Sequence, residues 1–173
     1  MKKYLIVATY IAILCLPGIL LPSCKVTYSF TGANISPDVK TFTVAYFPNR
    51  AKLINPNLSQ QFTEKLKDKL NKQTSLNEVS DSGDLEFSGS ITGYDVKPIA
   101  IQKQDLAAQN RLTISINVKY TNNKNKEQNF ERTFSAYEDY DSSKMLSDVE
   151  DNLVPDILDQ ILEDIYNATI ANW

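Results

Sequence analysis

Two thiols, a set of carboxylates and a few lysines and arginines are the chemically capable side chains of this 173-residue chain, which contains no histidine. That absence excludes Ser-His-Asp and Cys-His relays, histidine-ligated zinc and a histidine general base. Carboxylate-only or lysine-based chemistry stays open. The acids concentrate near the C-terminus, at Asp148, Glu150, Asp151, Asp156, Asp159, Glu163 and Asp164. They could line a calcium site, but the D-x-D-x-D-G loop such a site favours is missing, and a solvated helix face suits them better. No metal ligand set and no catalytic residue can be assigned.

The thiols take their meaning from the segment around them. Lys2 and Lys3 precede an apolar run from Tyr4 to Leu20, then Leu21-Pro22-Ser23-Cys24. A charged start, an apolar stretch and a small residue form the pattern of a secretory signal peptide. The four residues ending at Cys24 resemble the lipobox of bacterial lipoproteins, in which the chain is cut before the cysteine and the thiol is acylated. Residues 1–23 are then a signal peptide, residues 24–38 a lipidated tether, and Cys24 an anchor instead of a catalyst. Two or more acyl chains give stable membrane attachment where one does not. The alternatives are an ordinary signal peptide that leaves Cys24 free and an uncleaved membrane helix. Pro17, Gly18 and Pro22 interrupt the roughly 20 apolar residues the helix would need. Cys15 lies within the apolar run and is discarded with it.

Cleavage takes the 18 basic residues to 16 by removing Lys2 and Lys3, against 21 acidic ones, a net charge of −5. That is a poor composition for a general polyanion or nucleic-acid binder. What is left is the length of one ordinary domain, here residues 39–173. With Cys24 acylated, no thiol remains for a disulfide, so packing alone must hold the fold; no cofactor is expected beyond the covalent lipid.

The elements follow from periodicity. Residues 25–38 form a tether or loosely paired segment, with Tyr28 and Phe30 able to dock on the domain. Val39–Phe47 reads as a strand with Phe42, Val44 and Tyr46 on one face. Asn55-Pro56 signals a helix start, with Asn as cap and Pro at the first position, and Leu58, Phe62, Leu66 and Leu70 give it a narrow apolar stripe. Residues 71–84 read as a polar turn. Leu85, Phe87, Gly89 and Ile91 alternate into a second strand that continues through Tyr94 and Val96 to Pro98, with Gly89 and Gly93 as bulge or close-approach points. Residues 99–110 form a turn region. Leu112, Ile114, Ile116, Val118 and Tyr120 alternate without fault. After a polar turn at 122–126, residues 128–137 return as a strand with Phe130 and Phe134 inward. Ser142 or Ser143 can cap a last helix, which Pro155 either kinks or divides in two, and Trp173 can pack back on the domain. The order β-α-β-β-β-α predicts an α+β two-layer sandwich: a four-stranded, mostly antiparallel sheet with both helices on one face. The other face, with Thr113, Ser115, Asn117 and Lys119, is polar.

Several stretches, taken in order, carry a family likeness. They are Tyr28-Ser29-Phe30-Thr31-Gly32 after Cys24, Phe47-Pro48-Asn49-Arg50-Ala51, Asn55-Pro56-Asn57-Leu58-Ser59, Gly89-Ser90-Ile91-Thr92-Gly93-Tyr94, Asn110-Arg111-Leu112-Thr113-Ile114 and Ile165-Tyr166-Asn167-Ala168-Thr169. Together they resemble the lipopolysaccharide-assembly lipoprotein family (LptE-like), in its Bacteroidetes-type branch. The resemblance implies a non-catalytic protein anchored on the periplasmic side of the outer membrane. It implies a partner, the large β-barrel that inserts lipopolysaccharide into the outer leaflet, which such proteins plug and help to fold. Some members are proposed to bind lipopolysaccharide. The family has no catalytic motif to carry over. A lipid A phosphate would call for Lys or Arg near strand ends, which selects Arg50, Lys52, Lys97, Lys103 and Arg111, each also readable as a solvated surface charge. Arg50 could instead brace the loop before the first helix. Two other readings compete: a periplasmic or surface lipoprotein that takes a small ligand or glycan in an apolar pocket, and a carboxylate-dependent enzyme.

Overall fold

The computed structural model describes residues 35–53, 55–99 and 108–171. Cys24, most of the tether, the signal segment, Lys103 and Trp173 lie outside the described residues. The elements in chain order are β1 (Thr41–Val44), α1 (Leu58–Gln73), β2 (Asn77–Glu78), β3 (Leu85–Ile99), β4 (Gln109–Asn122), β5 (Phe130–Asp141) and α2 (Leu146–Thr169). A short 3-10 turn, Lys126–Gln128, joins β4 to β5.

The fold is α+β with two helices, as periodicity predicts, but the sheet has five strands in the order β2-β1-β3-β4-β5 and is mixed. β1 runs parallel to both β2 and β3, while β3, β4 and β5 are antiparallel. The four-stranded, mostly antiparallel expectation fails at β1. Helix α1 carries the chain back to the starting end of β1, so the next strand must run the same way. β2 hides inside the expected polar turn because both its residues are exposed. Main-chain bonds join it to β1, from Asn77 N to Lys40 O at 3.0 Å and from Val79 N to Phe42 O at 2.9 Å, and Lys67 and Asn71 of α1 reach the Glu78 carboxylate.

The chain then rounds the start of β1 through Asp84. Its Oδ2 accepts from the backbone N–H of Lys40 (2.8 Å) and of Thr41 (3.1 Å), while Lys124 Nζ stands 2.9 Å from Oδ1. These bonds, with the Lys40 amide as the largest cause, hold the Asp84 carboxyl far below its ordinary 3.8. A depressed folded-state pKa contributes stability that is present above the unfolded value and lost as pH falls through the folded one. Asp84→Asn should therefore lower stability by about 1–3 kcal/mol at neutral pH. The gap between wild type and variant should narrow as pH drops below about 4, read from urea midpoints across pH.

One apolar core lies between the sheet and both helices. The α1 stripe of Leu58, Phe62, Leu66 and Leu70 is buried to within 1%. α2 buries Val154, Ile157, Leu158, Ile161, Leu162 and Ile165 over the alternating face of β4. Lys65–Asp159 and Lys69–Glu163 ion pairs tie the two helices together at the surface. α2 is one continuous helix with Pro155 inside it.

Local starts and stops differ from the sequence reading. β1 ends at Val44, and Tyr46 is 62% exposed because the chain turns to send Phe47 into the core instead, edge-on to Phe62 at 4.9 Å. Asn55 does not cap α1: its Oδ1 accepts from Asn57 N at 2.9 Å in a turn that precedes the helix, and Pro56 lies before the first helical residue. Neither Ser142 nor Ser143 caps α2, which begins after Met145; Ser143 N donates to Asp141 Oδ1 at 2.8 Å. β3 passes Pro98 to end at Ile99, and β5 begins at Phe130 and runs on past Tyr137 to Asp141. The glycine reading of β3 agrees with the fold. The register shifts between Ile91 and Gly93, moving Tyr94 onto the core face, and Gly89 sits at φ +153°.

Candidate functional site

Strand direction decides which loops share an end of the molecule. β1 and β3 are parallel and β4 and β5 alternate, so the β1–α1 loop, the end of β3, the start of β4 and the β5–α2 loop lie at one pole. Residues 35–40, Asp84, the 123–129 turn and the end of α2 lie at the other, around a cavity of about 360 Å³ lined by Ile35, Val39, Tyr120, Lys124 and Ile170 among others. Burial pushes the Tyr120 hydroxyl there up to about 12.

Three of the five candidate cations fall at the first pole. Arg50, Lys52 and Lys97 are exposed and have no ion-pair partner among the described residues. The Arg50 backbone fixes its loop to the sheet, with N–H donating to Ile91 O at 2.8 Å while Pro48 O accepts from Ile91 N at 3.0 Å. Arg50 thus braces the loop through its main chain and leaves its guanidinium outward. Leu53 and Met145, 52% and 71% exposed, add apolar surface to the same loops.

The loop is locked from beneath. The Glu150 carboxylate at the start of α2 accepts from Asn55 Nδ2 at 2.8 Å and from the Tyr94 hydroxyl, joining the loop, the helix and β3. Burial and then the Glu150 contact push the Tyr94 pKa far above its ordinary value. Residues 55, 94 and 150 carry no sequence signal of this triad.

Arg111 is differently placed. It lies on the open face of the sheet, opposite Lys97 on β3 and Asp139 on β5. Its guanidinium meets Asp139 in two parallel bonds of 2.8 and 2.9 Å and stacks 3.5 Å over the Tyr137 ring. The Asp139 bond raises the Arg111 pKa, and the Arg111 bond lowers that of Asp139. The pair leaves Lys97 as the uncommitted cation of this row. Sequence reasoning found Arg111 but missed Tyr137 and Asp139, which only the β4–β5 register brings to it. No group of three His, Cys, Asp or Glu side chains able to hold a metal occurs among the described residues. No described helix is long and apolar enough to cross a membrane.

This arrangement defines an α+β module with the β1–α1 loop hydrogen-bonded to β3 and α2 at one pole and a polar open sheet face. The profile of the lipopolysaccharide-assembly family LptE matches residues 39–169, and the chain belongs to that family. Among solved structures, a hypothetical protein from Chlamydia trachomatis is similar in fold, with TM-score 0.51 and 11% identity over 78% of this chain and 99% of that one. A minor lipoprotein from Acinetobacter baumannii aligns at TM-score 0.47 and 14% identity, covering 76% of this chain and 96% of that one. Rare lipoprotein B from Shewanella oneidensis aligns at TM-score 0.47 and 8% identity, covering 73% and 89%. No curated protein matches the sequence.

Proposed function

We propose that this protein is a lipid-anchored outer-membrane component, acylated at Cys24 and facing the periplasm. It plugs the β-barrel that inserts lipopolysaccharide into the outer leaflet and assists that barrel's assembly, without catalysing a reaction. The family match over residues 39–169 carries the reading. The basic pole supports direct lipopolysaccharide contact, since Arg50, Lys52 and Lys97 are exposed beside apolar Leu53 and Met145. Phosphate on an amphipathic lipid suits that mixture of charge and apolar surface. Lys103 belongs to the same proposed group.

Depleting the protein from cells should lower lipopolysaccharide at the surface and leave the barrel misassembled in the same cells. Unchanged surface lipopolysaccharide with a normally assembled barrel would defeat the proposal. A variant carrying Arg50→Glu, Lys52→Glu and Lys97→Glu should bind lipopolysaccharide micelles at least about tenfold more weakly at low salt. Equal binding by wild type and variant would remove the basic pole from the account.

A further inference from the structure

The two edges of the sheet are not alike. β2 is two residues long, whereas β5 runs twelve residues, Phe130–Asp141, without glycine, proline or bulge, in unbroken register with β4. Proteins usually shorten, kink or charge such an edge, because its unpaired N–H and C=O groups accept another strand. Here the charges sit toward the ends, and Thr133 to Tyr137 are uncharged.

The ladder fixes which groups face outward. Ser142 N donates to Ala108 O at 3.0 Å, one step beyond the Gln109–Asp141 pair. Residues that exchange bonds with a neighbouring antiparallel strand alternate, so even-numbered residues of β5 bond to β4. Asn123 N donating to Asp84 O at 2.8 Å gives the same phase from the other side of β4. Thr133, Ser135 and Tyr137 therefore present their N–H and C=O groups to the free edge, where no described strand pairs with them.

Helix α2 runs beside this edge. Gln160, Asp164 and Asn167 share one helix face, and two shallow depressions that have Ser135 and Asp164 in common lie between them and β5. At one end Arg132 lies over the Phe130 and Phe134 rings, at 4.8 and 4.4 Å. Toward the other end the groove is acidic. Glu163 pairs with Lys69 and Glu138 accepts from Gln160, but Asp164 has no ion-pair partner among the described residues. A second copy paired two-fold through Ser135 would bring the two Asp164 carboxylates together, so the charge favours a different chain.

We propose that the free edge of β5 is a strand-addition site for an extended, basic segment of a partner protein. The segment's main chain pairs with Thr133, Ser135 and Tyr137, and a Lys or Arg reaches Asp164 from the side of the sheet that α2 covers. Main-chain pairing supplies affinity and the Asp164 contact supplies choice of partner. The site is independent of the basic pole.

The probe is a synthetic peptide of alternating Lys and Thr, added to the full chain in detergent, with an alternating Glu and Thr peptide as comparison. The Lys peptide should bind, and amide exchange at Thr133, Ser135 and Tyr137 should slow. Proline at Ser135 removes an outward N–H and spares the β4 ladder, so Ser135→Pro should keep its urea midpoint and bind about tenfold or more weakly. Asp164→Lys should reverse the preference toward the Glu peptide, and it decides the matter alone if the proline variant fails to fold. The proposal is overturned if neither peptide binds, if binding survives both substitutions, or if the three amides are already protected in a dimer of this chain.

Discussion

Gly89→Ala should destabilise the protein by about 3–5 kcal/mol, the largest stability loss expected from any single methyl group in this fold. A Cβ at position 89 would stand 2.0 Å from Asn117 O and 2.9 Å from the Phe47 ring, and φ there is +153°. The carbonyl belongs to β4, which is paired on both sides and cannot withdraw without breaking the ladder to β3. Both the contact and the backbone angle oppose the substitution. Urea unfolding should show the midpoint falling with the slope nearly unchanged. A loss below about 1 kcal/mol would mean that β3 shifts its register here at little cost.

Cys24→Ala should abolish acylation, and once its signal segment is removed the variant should leave the membrane fraction almost completely. Acyl chains stabilise membrane attachment by about 0.8 kcal/mol per buried methylene, and no described helix is long and apolar enough to cross a bilayer in their place. Labelled palmitate should enter the wild type and not the variant, whose uncleaved signal segment must be cut off before its release is read. Retention of the variant on membranes after high-salt washing and signal cleavage would show attachment by another route. Cys24→Ala tests the anchor alone, because the domain that matches the family begins at residue 39.

Elements with one wet and one dry face were plain in the residue pattern. β4 alternates because α2 covers one side of it, and the four-residue stripe of α1 suits a helix that covers a sheet. The direction of β1 was not legible, since alternation is the same in a parallel and an antiparallel pair. β2 was not legible because Asn77 and Glu78 bury no side chain and are held by the backbone of β1. Helix starts were misplaced by two or three residues, because Asn55 uses its side chain in a turn before α1 and the Asp141 side chain holds the Ser143 backbone in a turn before α2.

The candidate site shows the same division. Arg50, Lys52, Lys97 and Arg111 could be picked out because a phosphate-binding group must be cationic and near a strand end. That Arg111 is held by Asp139 and Tyr137 follows from a register that the 123–129 turn sets, with Asn122 N bonded to Asn129 Oδ1 at 2.7 Å. The Glu150 triad joins residues 56 and 95 positions apart, beyond the reach of any local pattern. The free edge of β5 appears only once the order of all five strands is known.

Affinity purification of the tagged protein from detergent-extracted membranes, with mass spectrometry of what accompanies it, tests the central claim most directly. The account predicts a large outer-membrane β-barrel of the lipopolysaccharide-insertion type, at one copy per copy of this chain. Recovery of the protein alone, or with carbohydrate-uptake components in place of that barrel, would contradict it.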